Sequence, residues 1–382
     1  MSRIIDEHRL YLRDRNRVAA YERALREVVR PGDVVCDLAS GTGILGLLAH
    51  RAGASRVYAV EETGIAGLAR DLARANGVSD AITSLRGHSR SITLPERADV
   101  IVCDQIGGFG LETDIVALFH DARRRFLRDG GTIVPNSLDL MMAPVEHARL
   151  HRRLQFWRER PVGFDFAPAA EIAANTGYPF RLRPEHLLAT PVRVATIDLT
   201  ADVEVPLRLG SADATSGVVQ TSRDGVLHGI AGWFVARLSP SVTMTNSPLA
   251  EDRIFRRPIV FPIADAVTVA AGTPIDVSMT VLPSEMLYSW DVRVGAAPND
   301  RRFRHTTLRG MLIAREDLTR TSPTYTPMLT AAGEARRTVL RLIDGQRTLA
   351  EIEDEVFARH PGLFASPAQA AMFVAEVVTR YA

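Results

Sequence analysis

The chain contains no lysine; all 46 of its basic residues are arginine, set against 45 aspartates and glutamates. Its formal net charge is +1 and the two signs are intermixed. It therefore lacks the basic stripe of a protein that binds nucleic acid electrostatically, and no nucleic-acid partner is expected. We read the arginine-only usage as a GC-rich, bacterial coding bias. Cysteine is scarce too. Cys36 and Cys103 are too few for a disulfide framework or a cysteine zinc site, so no metal is expected. No run of about 18 apolar residues occurs, and the opening MSRIIDEHRL does not read as a signal peptide. A cytoplasmic protein without membrane attachment is the expectation.

What is present is an ordinary globular composition, with 46% apolar and 24% charged residues. At about 150 residues per domain, 382 residues suggest two or three domains. Residues 1–30 read as helix, with Leu12, Val18, Tyr21, Leu25, Val28 and Val29 at three and four spacing until Pro31-Gly32. Strands are expected in the VVCD stretch that Asp37 ends and at 56–61, 82–86 and 99–103, alternating with helices. The helix around ALFHDARRRFL is expected to run to Asp129-Gly130-Gly131, with TIVP resuming a strand. Such alternation predicts a parallel, doubly wound α/β sheet in a Rossmann-like domain over residues 1–145. Past 145, segments such as VRVATIDLT, IAGWFVARL and TPIDVSMTVL predict antiparallel β-structure, barrel-like, over 146–324. Residues 157–190 interrupt that pattern as a helical or irregular insertion. Three amphipathic helices close the chain and predict a small helical domain over 325–382.

The chemistry concentrates in the first region. Asp37 ends the first strand, Gly41-Thr42-Gly43 follows, and Glu61 closes the second strand. Glycines let a ligand approach the backbone, and the next helix offers free N–H donors. An acid closing the second strand is placed to grip the hydroxyls of a ribose. An acid before the glycines suits a cofactor with an amino group better than one with a pyrophosphate, and so favours S-adenosylmethionine over a dinucleotide.

VCDLASGTGILGLLAHRAGASRVYAVE resembles the first two motifs of the class I S-adenosylmethionine methyltransferases, and within them the protein arginine methyltransferases. Ala39 stands where that family usually has a glycine. The resemblance extends to His8, Leu12, Asp14, Arg17 and Tyr21, at the spacing of the family's first helix, and implies that Arg17 holds the cofactor carboxylate. Arg17, Asp37, Ala39, Gly41, Gly43 and Glu61 thus form the expected cofactor-binding set, completed by His88 and Ser89 past the third strand. S-adenosyl-L-homocysteine is the implied product. The family carries two glutamates on the loop after strand four. In CDQIGGFGLET, Asp104 takes the first place and Glu112 the second, with one residue fewer between them; both are expected to be catalytic.

Two departures accompany the match. The family's Thr-His-Trp is replaced by Arg253, Ile254 and Phe255, and the N-terminal aromatic pair is missing. These imply an altered acceptor, for which arginine peptides are expected to be poor. The sequence reading is an N-methyltransferase acting on an amine of a peptide or protein, of the daptide type in which a terminal amine is dimethylated. The alternatives are an arginine methyltransferase and an inactive cofactor-binding subunit. The family implies a homodimer formed through the 157–190 segment. LRLIDGQRTLAEIEDEVFARHP is similar to PqqD-like elements that recognise leader peptides.

Overall fold

The computed structural model describes residues 4–210 and 218–381, which divide into two compact units, Met1–Met311 and Leu312–Ala382. The first unit opens with two helices where one was expected, α1 (Ile4–Arg13) and α2 (Arg15–Val28). Asp14 makes the break. Its carboxylate accepts the N–H of Arg17 at 3.3 Å, a capping geometry in which an aspartate starts a helix instead of continuing one.

A five-stranded parallel sheet follows, built from β1 (Val34–Leu38), β2 (Arg56–Glu61), β3 (Ile82–Arg86), β4 (Ala98–Cys103) and β5 (Leu127–Val134). Helices α3 (Ile44–Ala52), α4 (Ile65–Ala75) and α5 (Ile115–Arg125) connect the strands. The strand order β3-β2-β1-β4-β5 reverses between β1 and β4, which opens a crevice at their carboxyl ends. β1 is buried along its whole length, as the unbroken VVCDL run requires in a sheet covered on both faces. β5 begins at Leu127 and runs through Gly130-Gly131, so those glycines lie within a strand and do not end α5.

The second half of this unit is antiparallel. Six strands form one sheet: β6 (Ser137–Val145), β7 (Tyr178–Pro179), β8 (Val192–Asp198), β11 (Gly225–Arg237), β12 (Thr243–Thr245) and β13 (Ile259–Val269). Five form another: β9 (Leu207–Leu209), β10 (Val218–Gln220), β14 (Pro274–Leu282), β15 (Leu287–Val294) and β16 (Arg301–Thr306). β6 pairs with β11 and β8, so antiparallel structure starts at Ser137 and not past 145. The region expected to be barrel-like holds these two antiparallel sheets. Among the described strands neither closes on itself, and the Trp290 indole N–H of one donates to the Pro262 carbonyl of the other at 2.8 Å. Helices α6 (Ala148–Gln155) and α7 (Ala167–Ala174) lie in and beside the expected insertion, which leaves Val162 and Phe164 exposed at 86% and 70%. After the last strand comes a single turn, α8 (Thr307–Gly310).

The unit 312–382 holds α9 (Arg315–Arg320), α10 (Ala331–Leu342), α11 (Leu349–Arg359) and α12 (Pro367–Tyr381). Val339, Leu342, Ile352, Val356, Val374 and Val377 form its own small core. Thr348 and Glu351 close the start of α11 as a capping box. Its described residues contain no strand.

One glycine ties the antiparallel sheet to the loop after β4. Gly232, central in β11, faces the ring of Phe109, and a Cβ there would lie 2.5 Å from it. Gly232→Ala should therefore lower stability by about 1–3 kcal/mol, the usual cost of overfilling a packed core. Urea denaturation of the variant beside the wild type measures it.

Candidate functional site

At the carboxyl ends of β1, β2 and β4 lies a cavity of about 830 Å³, within the size range of small-molecule sites. The glycine turn forms its floor. Gly41 and Gly43 adopt φ of 54° and 77°, and Ala39 adopts 52°, a left-handed conformation that costs a residue with a side chain on the order of 1 kcal/mol. His8 of α1 lies against Gly41, so close that a Cβ on Gly41 would overlap the imidazole. Of the turn residues, Ala39, Ser40, Gly41 and Thr42 line the cavity, whereas Gly43 caps α3 beneath it.

Glu61 reaches the cavity from the end of β2. Its carboxylate accepts the N–H of Gly41 at 3.0 Å and the N–H and hydroxyl of Thr63 at 2.9 and 2.7 Å. Asp37, expected in the cofactor-binding set, lies outside the cavity lining. It is fully buried and accepts the N–H of Gly46 at 2.8 Å, so it clamps the turn to α3 from below. Its other oxygen has no partner among the described residues. Burial pushes this carboxyl up to about 7; the Gly46 N–H opposes the shift, and the negative charges of Glu61 and Asp104 add to it. His88 and Ser89 also fall outside the lining. They are held elsewhere: His88 Nδ1 accepts the Arg90 N–H within the turn after β3, and the Ser89 carbonyl accepts from Arg125 of α5.

Asp104, at the end of β4, is the centre of a buried charge cluster. Arg17 of α2 binds it through Nε and Nη2. Arg256 binds it through Nη2 at 3.2 Å, and the Tyr21 hydroxyl lies 3.0 Å from its Oδ1. Burial opposes ionisation of Asp104 more than any other single influence, yet Arg256 and Arg17 together hold its carboxyl below the usual range. Its side chain is 7% exposed. Glu112 was expected as the second catalytic acid of this loop. It accepts the N–H groups of Phe109 and Leu111 at 2.8 and 3.1 Å, packs against Gly107 and does not line the cavity. Burial raises its carboxyl, with those N–H bonds opposing. A glycine-rich loop can fold a glutamate back onto its own amides.

Arg256 and Arg257 were missed by sequence reasoning, although both line the cavity. The signal was the pair of arginines one residue past the departed Arg253-Ile254-Phe255, hidden among 46 arginines. Ile254 is buried, and the Phe255 N–H donates to the second oxygen of Asp14 at 2.6 Å, which docks this segment onto the start of α2. Tyr11 also lines the cavity, so an aromatic ring does reach it from α1.

The donor set fits the cofactor that the sequence implies. Arg17 Nη1 is buried without a partner among the described residues, as a cation awaiting a carboxylate would be. The Ser40 hydroxyl is likewise unpartnered, and Glu61 offers the acid for a ribose. Among the described residues no group of three or more His, Cys, Asp or Glu could hold a metal ion, and no helix is long and apolar enough to cross a membrane.

Comparison with known proteins gives two family matches, the ribosomal protein L11 methyltransferase family over residues 22–136 and the arginine methyltransferase oligomerization subdomain over 137–293. The chain is 30% identical over 300 residues to protein arginine N-methyltransferase 6 of Xenopus tropicalis, covering 74% of this chain and 85% of that one. It is 29% identical to the Xenopus laevis counterpart, over 73% and 84%. Among solved structures, the Trypanosoma brucei PRMT1 enzyme–prozyme heterotetrameric complex with AdoHcy matches with a TM-score of 0.70 at 20% identity, covering 78% of this chain and 97% of that one. Arabidopsis thaliana protein arginine methyltransferase 10 matches with 0.65 at 24%, over 78% and 96%.

Asp37 gives the site a measurable pH signature. An acid that keeps its proton in the fold but loses it when unfolded adds stability at low pH, and that stability fades as pH rises from the ordinary 3.8 towards about 7. Asp37→Asn retains an acceptor for the Gly46 N–H and should flatten this decline. Urea denaturation at a series of pH values reads it.

Proposed function

This chain belongs to the protein arginine N-methyltransferase family, and from that premise we propose that it methylates a nitrogen of a protein substrate, with an arginine side chain as the acceptor. It is an S-adenosylmethionine-dependent methyltransferase. The observation that carries the proposal is one cavity lined by Arg17, Glu61 and Asp104, at the point where strand order reverses, with an Arg17 nitrogen buried and unpartnered beside it among the described residues. The names of the relatives support arginine as acceptor. They lend no support to the terminal amine of a daptide-type peptide, which we do not retain.

When bound, the cofactor supplies an electrophilic methyl group on its sulfonium. Arg17 Nη1 would pair with its carboxylate and Glu61 would accept from its ribose hydroxyls. Asp104 stays ionised near neutral pH and binds a guanidinium already, that of Arg256. An incoming arginine takes over that carboxylate, so Arg256 must yield its place on Asp104. Methylation releases a proton from the acceptor nitrogen. Glu112, whose carboxyl burial raises, takes that proton at a carboxylate oxygen once it turns from the N–H groups of Phe109 and Leu111. Holding the two reactants in line supplies most of the acceleration.

The test is single-turnover methyl transfer to an arginine peptide, with S-adenosylhomocysteine affinity measured alongside. Asp104→Asn and Glu112→Gln should each lower the rate by about 10²–10⁴ with far smaller changes in affinity. Their effects should be strongly non-additive, because they act on one acceptor. Glu61→Gln should instead weaken S-adenosylhomocysteine binding by about tenfold or more. Near-normal rates in both loop variants would refute these roles.

We further propose domains at 1–136, 137–311 and 312–382, the last a separate helical unit. A homodimer forms through the apolar segment that exposes Val162 and Phe164; the oligomerization-subdomain match supports it. Val162→Asp with Phe164→Asp should halve the mass measured by light scattering, and an unchanged mass would place the interface elsewhere.

A further inference from the structure

A second cavity, of about 790 Å³, shares Tyr11, Arg17, Pro179, Arg256 and Arg257 with the first. Its charge is one-sided. Arg149 and Arg153 project into it from successive turns of α6, Arg181 from the segment after β7, and Arg257 from the segment before β13. These four side chains are exposed, and none has a carboxylate partner among the described residues. Arg153 lies over the ring of Tyr178, which steadies the guanidinium without neutralising it. Asp14 is the one acid in the lining, and its oxygens already accept the N–H groups of Arg17 and Phe255. His147 uses Nδ1 to accept the N–H of Leu150, and Tyr11, whose hydroxyl burial pushes up to about 12, stays neutral, so neither balances the charge, to which Arg17 and Arg256 add.

We propose that this groove receives an acidic stretch of the substrate polypeptide, so that the acceptor nitrogen arrives flanked by carboxylates. The proposal rests on the reading of the chain as a protein N-methyltransferase and names the substrate class of that same site. Planar guanidinium groups pair with carboxylates two bonds at a time, and several around one groove fix a peptide's register as well as its charge. The same four charges repel an arginine-rich segment. A polypeptide fits better than a nucleic acid, because the chain's net charge is only +1 and the four arginines line a single groove.

The experiment uses the full-length protein saturated with S-adenosylhomocysteine, whose own binding is measured first by calorimetry. Four fluorescent probes are titrated: a Glu/Asp-rich peptide with one central arginine, a Gly/Ser peptide with one central arginine, an Arg-Gly repeat peptide, and a single-stranded RNA. The acidic peptide should bind tightest, and its affinity should fall as salt is raised. Arg149→Glu with Arg153→Glu should weaken it by about tenfold or more while S-adenosylhomocysteine affinity is unchanged, and Arg149→Lys with Arg153→Lys should keep most of it. Equal binding of the neutral or Arg-Gly peptide, an acidic peptide indifferent to the charge reversal, or RNA displacing the acidic peptide would each overturn the proposal. Failure to bind S-adenosylhomocysteine would instead overturn the methyltransferase reading beneath it.

Discussion

A carboxylate taken out of water must find cations, and Asp104 finds two. Arg17 comes from the second helix of the chain and Arg256 from the segment ahead of β13, so one buried anion joins the N-terminal helices, the parallel sheet and the antiparallel sheet. Removing one member of such a cluster leaves an uncompensated buried charge, which typically costs about 3–5 kcal/mol. Around this pairing the remaining polar groups sort themselves. Asp14 is freed to cap α2 and hold Phe255, Tyr21 adds its hydroxyl, and one nitrogen of Arg17 is left buried without a partner among the described residues.

The loop that carries Asp104 is fixed at its other end by packing. Phe109 fills the space above Gly232, and Asn246 donates to the Gly108 carbonyl at 2.7 Å while accepting the Phe234 N–H. The acceptor side of the cavity is therefore shaped by the antiparallel sheet as much as by the strand from which the loop springs. Within that loop the Phe109 and Leu111 N–H groups hold the Glu112 carboxylate.

The parallel half of the fold could be read from the sequence because its signals are local. VVCDL, the glycine turn and Glu61 lie within about thirty residues, and each imposes its own geometry through burial, positive φ or strand end. Ala39 in a left-handed conformation and Glu61 at the cavity both follow from that pattern. What escaped depends on long-range partners or on the competition between caps and helix. Asp14 breaks a helix whose apolar spacing continues without interruption across it. Arg256 meets Asp104 across 152 positions, and nothing in its neighbours sets it apart from other arginines. Glu112 and Asp37 were identified as acids near the site, but the backbone N–H groups that hold them are invisible before the loops are folded.

The alanine that holds a left-handed place in the glycine turn carries a consequence for how this protein can change. Alanine and glycine codons differ by a single base, so relief from the strain is one substitution away. A strained turn that a single point mutation could relax is an accessible reserve of stability. Changes elsewhere in the site that cost on the order of 1 kcal/mol can be offset there without touching any residue that faces the acceptor.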